Sequence, residues 1–250
     1  MTMQIADTVS LTSPEAKARA HAAAAHNNLR TEPKAVRIAI IALAIATNEG
    51  VPSWEQLVGR LTIPLWAMFL NPTLLATVAT LMGQIEYRGG SWSFMLVQPQ
   101  PRWQLFLTKL GILWLLHAMM LVLAIAGAIL AGACIGHLTG RVPTGTIPWA
   151  EGIRFVAQMS LGSLAILCIQ LWVALRWNNF VISLALGIAG TLVQLAVLIT
   201  GSDQAGWFPW VMAMRSALSE NGAENVRAGL ALGLFLVPVM LFDLQRRALK

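Results

Sequence analysis

Long apolar runs separated by short polar and charged segments organise this chain. Six can be laid out, at 35–51, 62–85, 105–136, 153–175, 180–200 and 226–242. An α-helix rises about 1.5 Å per residue and a bilayer's hydrocarbon core is about 30 Å thick, so roughly 20 apolar residues cross it. Five of the six runs are long enough. The first is short, because its apolar part from Ala35 to Thr47 is about 13 residues, or roughly 20 Å of helix. Backbone polar groups in lipid must be satisfied within the segment, and runs of this length without alternation read as helices. The pattern predicts an all-α fold, a polytopic transmembrane helical bundle of about six spans.

Polar punctuation divides the chain further. Residues 1–34 form an Ala-rich arm in which Ser13-Pro14-Glu15 is a helix-start signature, predicting a helix to about Arg30 that lies either on the membrane surface or in solvent. The six-span domain occupies 35–243, and 244–250 is a basic tail. Asn71-Pro72 interrupts the second span, where proline removes a backbone donor and kinks the helix. The third span exceeds a perpendicular crossing, so it tilts or projects. Between the fifth and sixth spans, Trp207, Phe208, Pro209 and Trp210 point to a short interfacial or re-entrant helix, since aromatic side chains favour the headgroup level. The N-terminus lacks the basic, apolar and small-residue regions of a secretory signal, and no leader is expected to be removed.

Composition agrees, with 57% apolar residues and 11% charged against about 25% charged in soluble domains. The net charge of +6 does not predict a nucleic-acid partner, because the basic residues are spread between apolar runs instead of forming one patch. Their distribution sets topology. With both termini inside, Lys17, Arg19, Arg30, Lys34, Arg37, Arg88, Arg102, Lys109, Arg176, Arg246, Arg247 and Lys250 are cytoplasmic, twelve of the 17 basic residues. Without the short first span, five of these would fall outside, and this is why that span is retained.

No chemistry-bearing motif accompanies the spans. A P-loop needs glycines and a Lys followed by Ser or Thr, and none of the four lysines sits in such a sequence. His21, His26, His117 and His137 do not match HExxH, and no GxSxG occurs. Cys134 and Cys168 lie in apolar stretches, far from metal-ligand spacing. No cofactor, metal or catalytic residue is expected. The polar residues within spans, Asn71, His117, Gln158, Gln170 and Gln194, act either as links between helices or as contacts along a pathway. Gly132-xxx-Gly136 and Gly229-xxx-Gly233 permit close helix approach.

The most informative stretch joins the second and third spans. In Glu86-Tyr87-Arg88-Gly89-Gly90-Ser91-Trp92-Ser93-Phe94-Met95-Leu96-Val97-Gln98-Pro99-Gln100-Pro101-Arg102, the glycines end one helix and the prolines stop the next, leaving room for a short helix. Trp92, Met95 and Leu96 share one face of it. An exposed apolar cytoplasmic helix either lies on the membrane or docks into another protein.

Glu86, Gly90, Trp92, Leu96, Pro99, Arg102 and Lys109 resemble the E...W..L...P..R......K pattern of type 2 ABC exporter permeases, especially the lantibiotic-immunity and bacitracin-export permeases. The resemblance covers most of the chain in span number, spacing and topology, and its specific residues lie between Glu86 and Lys109. The short first span departs from the family, and the Ala-rich arm does not clearly match its amphipathic connecting helix. The resemblance implies a non-enzymatic permease subunit in the cell (inner) membrane, paired with a second permease copy or a related permease and driven by a separate ATPase chain. Ser91 to Gln98 would be the coupling helix, with Glu86 and Arg102 fixing its position and Trp92, Met95 and Leu96 entering the ATPase. The cargo by resemblance would be an amphipathic peptide, an antibiotic or a lipid-like molecule. A secondary transporter is the alternative, disfavoured because all acidic residues lie in tails, loops or span ends; an intramembrane enzyme lacks a catalytic constellation.

Overall fold

The opening turn of the second span is set by a reciprocal cap. Gln56 N–H donates to Ser53 Oγ at 3.3 Å, and Ser53 N–H donates to Gln56 Oε1 at 3.0 Å, the capping-box arrangement. From there the computed structural model continues as one helix through π1 (Gln56–Thr62), a single α-helical turn (Ile63–Leu65), π2 (Trp66–Leu70) and α1 (Asn71–Arg88). This span begins at Gln56, ahead of the expected residue 62. Its first turn carries Gln56 and Arg60 outward, Arg60 pairing with Glu55 at 3.0 Å, while Leu57 and Val58 are buried. The structure describes residues 53–88, 101–139, 143–177, 179–202, 204–219 and 221–247. The N-terminal arm, the expected first span 35–51 and the loop residues Gly90, Trp92, Met95, Leu96 and Pro99 lie outside the described residues.

Beyond the loop come α2 (Arg102–Thr139), α3 (Trp149–Gly162), α4 (Leu164–Arg176), α5 (Phe180–Thr200), α6 (Pro209–Leu218) and α7 (Gly222–Arg247). Among the described residues all regular structure is helical. Within those residues four helices are long and apolar enough to cross a membrane, and the α3–α4 pair makes a fifth crossing if counted as one span. The expected span 153–175 falls on two helices bent by 46° at Ser163. A Gly162-Ser163 pair is a common cause of such a bend. The Ser163 N–H still reaches Met159 O at 3.0 Å, and Leu167 N–H reaches Ser163 O at 3.0 Å, so the chain turns without abandoning its hydrogen bonds.

The bend places α4 at the centre. Ala165, Ile166, Leu167, Cys168, Gln170, Leu171, Ala174 and Leu175 are all buried, leaving little outward face on a helix packed against α1, α5 and α7. Small residues bring these backbones together. A Cβ on Gly83 would lie 2.6 Å from Ala174 O. One on Gly187 would collide with Ala76 Cβ, joining α5 to α1. Gly229 lies against the Gly162 carbonyl and Gly233 against Leu164 and Ala165, so the Gly229-xxx-Gly233 pair seats α7 on the bend itself. Gly132 of α2 receives the rings and methyls of Trp54 and Leu57.

Between α5 and α7, α6 lies against α7, α3 and α5. Pro209, Trp210, Val211, Ala213, Met214 and Ser216 are buried. Trp210 packs on Gly190 of α5, which lies about 15 Å along that helix from its Thr200 end by helix rise. Its indole stacks on Phe208, with centroids 5.2 Å apart. The segment therefore re-enters the bundle, with its first turn deep and its last turn near the start of α7. Trp207 is exposed, its ring meeting Phe208 edge-on with centroids 6.1 Å apart.

Gly229→Ala should lower the thermal midpoint of the purified protein by about 5 °C, because the added methyl meets a backbone carbonyl that cannot move aside. Gly127→Ala, at a position with nothing within 4 Å of the new methyl, should leave it unchanged. Differential scanning fluorimetry in one detergent checks both.

Candidate functional site

Four in-span polar residues face inward. Asn71, His117, Gln170 and Gln194 are 2%, 4%, 0% and 2% exposed, and a polar group buried this deeply needs a partner. Their partners fall into two layers that tie helix breaks to neighbouring helices.

The first layer surrounds Asn71-Pro72. Proline has no N–H, so in an α register the Met68 carbonyl goes unserved, and in a π register the Ala67 carbonyl does. Gln194 Nε2 on α5 donates to both, at 3.1 Å to Ala67 O and 3.0 Å to Met68 O. The side chain of another span thus replaces the donor that proline removes, which lipid cannot do. One position earlier, Asn71 Oδ1 lies 2.6 Å from His117 Nε2 on α2. Asn71 Nδ2 donates to Ser163 Oγ at the α3–α4 bend, at 3.5 Å. Asn71 thereby connects both interruptions of the bundle, the π2–α1 junction and the Ser163 bend, to α2.

The second layer joins α1, α4 and α5. Thr80 Oγ1 is 2.8 Å from Ser183 Oγ and 2.6 Å from Ala76 O. The Gln170 amide, oriented to match its neighbours, donates to Ser183 O at 3.3 Å and accepts from Gly187 N–H at 3.2 Å. Those two backbone groups are the acceptor and donor of one α-helical turn, so Gln170 inserts a side chain into the ladder of α5. Gln158 is separate from both layers. It is part-buried on α3, with its Nε2 3.1 Å from the position of a Cβ on Gly222, beside the start of α7.

At the end of the bundle where α1 stops and α2 begins, α4 and α7 are clamped. Asp243 accepts from Trp172 Nε1 at 2.8 Å and forms an ion pair with Arg176. The Arg176 guanidinium lies over the Trp177 ring, 5.0 Å from its centroid, and Arg246 lies over Phe242 at 3.9 Å. Glu86 sits in the last turn of α1 and Arg102 opens α2, so the structure places the backbones of the two expected anchors on the helices flanking the loop. Lys109, the last residue of the sequence pattern, is buried on α2. Phe106 and Leu110 belong to the same apolar core as Leu75 and Ala79 of α1 and Leu171 of α4.

Residues 34–194 match the family model described as ABC-2 family transporter protein. The chain belongs to the ABC-2 transporter family. The match starts at the head of the expected first span and ends at Gln194, so it takes in both polar layers and the whole 86–109 stretch. As an ABC-2 family protein with several membrane-crossing helices, the chain is an integral membrane protein and a transport membrane subunit. Comparison with curated proteins and with solved structures yields no match.

Several participants in this ABC-2 protein escape a reading of the sequence alone. Ser163 looks like any small residue in a span, although the adjacent Gly162 is the signal that a bend can form there. Trp172 and Asp243 are far apart in the chain, and only the parallel course of α4 and α7 brings them together. The Gln194–Pro72 relation follows from a general rule, that a proline in a span leaves a carbonyl needing a donor, but nothing in the sequence says which glutamine supplies it.

Gln194→Leu should cost about 1–3 kcal/mol, because two buried carbonyls lose their donor. Pro72→Ala should restore part of that loss in the Gln194→Leu background, since the new N–H reaches a freed carbonyl, and the same change in the wild type should gain less. Thermal midpoints of the four proteins form a double-mutant cycle, and a coupling near zero would contradict the assignment.

Proposed function

We propose that this chain is the permease subunit of an ATP-driven exporter in the cell (inner) membrane, with both termini cytoplasmic. It works with a second permease copy or a related permease and with a separate ATPase chain that binds the cytoplasmic face. The cargo is an amphipathic peptide, an antibiotic or a lipid-like molecule, moved out of the cytoplasm or from the inner leaflet. Ser91 to Gln98 is the coupling helix. Trp92, Met95 and Leu96 present the apolar face that enters the ATPase, Gly90 and Pro99 bound the helix, and Glu86 and Arg102 hold it between α1 and α2.

Membership of the ABC-2 family carries this reading, and the packing around the loop supports it. A motor can bias a permease only through contacts that differ between its two states. The helices on either side of 89–101 are not loose: Phe106 and Leu110 of α2 share a core with Ala79 of α1 and Leu175 of α4. A push delivered at Trp92 is therefore received by three spans together. The Asp243 clamp fastens α7 to the same end of α4, extending that unit to a fourth.

Affinity purification of the tagged chain from its native membranes should recover a P-loop ATPase subunit, and the complex should hydrolyse ATP. Trp92→Asp or Met95→Asp should reduce that recovery and the ATPase stimulation at least about tenfold, the order expected for a charge forced into an apolar anchor pocket, while the permease itself still inserts. Failure to recover any ATPase, together with no effect of either charge in cells, would overturn the reading.

A further inference from the structure

The start of the second span covers one side of the seam between α2 and α3. Val58 and Ile63 share a core there with Ile125 of α2 and Phe155 of α3. The other side of the seam is a groove of about 540 Å³ with an apolar lining, running from Leu130 to Val122 on α2 and from Trp149 to Ala157 on α3. Its rims stand open, with Val122, Leu130, Trp149 and Ile153 all more than half exposed. Lipid would wet any such face, so exposure alone names no occupant. The path of the chain does.

The described residues at this end begin at Ser53. Trp54 N–H donates to Thr144 O, in the connection between α2 and α3, at 3.1 Å. The Trp54 ring lies against Gly132 of α2, two residues beyond Leu130 and so about 3 Å along the helix from the end of the groove. Residue 53 therefore stands at the head of the groove, and the segment before it enters from there. That segment carries the apolar run 35–47, roughly 20 Å long as a helix. The five residues from Asn48 to Pro52 join it to Ser53 and reach at most about 17 Å when extended, enough to set the run in the groove without crossing the bundle.

We infer that residues 35–47 pack along the α2–α3 groove, parallel to α2 and antiparallel to α3. The inference rests on the reading of 35–51 as a span with a cytoplasmic N-terminus. In helical register Ala35, Ala39, Ala42 and Ala46 share one face, which lets a helix backbone come close to its neighbours, and Ile38, Ile41 and Ile45 lie beside that face with the bulk to fill the groove. Apolar length alone holds so short a run poorly in a bilayer, and such mismatch favours helix association. The seam is then enclosed by consecutive spans, the second on its inner side and the first on its outer side.

Disulfide crosslinking of the full chain in native membranes tests this. In a Cys134→Ala, Cys168→Ala background, Ile153→Cys is combined in turn with Ile40→Cys, Ile41→Cys, Ala42→Cys and Leu43→Cys, four consecutive positions that cover every face of one turn. Leu192→Cys replaces Ile153→Cys as the reference, being equally open but on α5, which packs against α1, α4 and α6. A disulfide needs Cα atoms within about 7 Å, so at least one position should link to residue 153 at least about tenfold more than any links to residue 192. The linked peptides should come from the monomer-sized band. No link to residue 153 at any of the four positions would overturn the inference and leave the groove to lipid. Links found only in a dimer-sized band would overturn it in favour of a second copy. Ser10→Cys, probed from outside intact cells with a membrane-impermeant maleimide, separates the two readings: protection with no link removes the docking alone, whereas labelling removes the first span as well.

Discussion

Inside a bilayer no solvent is available to bond a backbone group that its own helix cannot serve. Every interruption of a span in this protein must therefore be repaired by another part of the protein, and the bundle's arrangement follows from those repairs. Pro72 removes one donor, and α5 must lie where Gln194 reaches the two carbonyls that an N–H at position 72 could have served. Gln194 holds that position because Gly187 and Gly190, on the same helix, let α5 approach Ala76 and Trp210 closely. The bend at Ser163 is repaired by its own backbone bonds and packed by Gly229 and Gly233 of α7. Apolar contacts fill the space between helices, but the polar repairs determine which faces meet.

The two interruptions are also joined to each other. Asn71 stands between His117 on α2 and Ser163 at the bend, so a change in one break is felt at the other and at α2. Below them, the Thr80, Gln170 and Ser183 layer and the Asp243 clamp bind α1, α4, α5 and α7 into a firmer block. The block adjoins the end where α1 stops and α2 begins, and the two breaks lie farther along the bundle.

The sequence is legible where a physical rule acts locally. Apolar extent located the helices of the third and fifth spans to within a few residues, and the aromatic cluster at 207–210 correctly announced a short helix between the last two crossings. The Ser53-to-Gln56 capping box is just as local, but apolar extent passes over it because the polar Gln56 and Arg60 face outward on a turn that is already helical. Hydropathy lays out 153–175 as one run because it does not register a bend; the Gly162-Ser163 pair does, but only the approach of α7 shows that it is used. The inward facing of Asn71, His117, Gln170 and Gln194 was legible as a choice between helix link and pathway contact. Their partners were not, because Ser163, Ser183 and the Ala67 and Met68 carbonyls are brought to them by tertiary packing.

The central claim is that the π2–α1 junction and the Ser163 bend form one joint held by Asn71. Hydrogen–deuterium exchange of the Asn71→Leu protein in nanodiscs addresses it most directly. Exchange should be faster at the amides of both 66–71 and 159–164, with the 76–83 stretch of α1 and the 183–190 stretch of α5 unchanged. Faster exchange confined to 66–71 would show that the two breaks are independent and would contradict it.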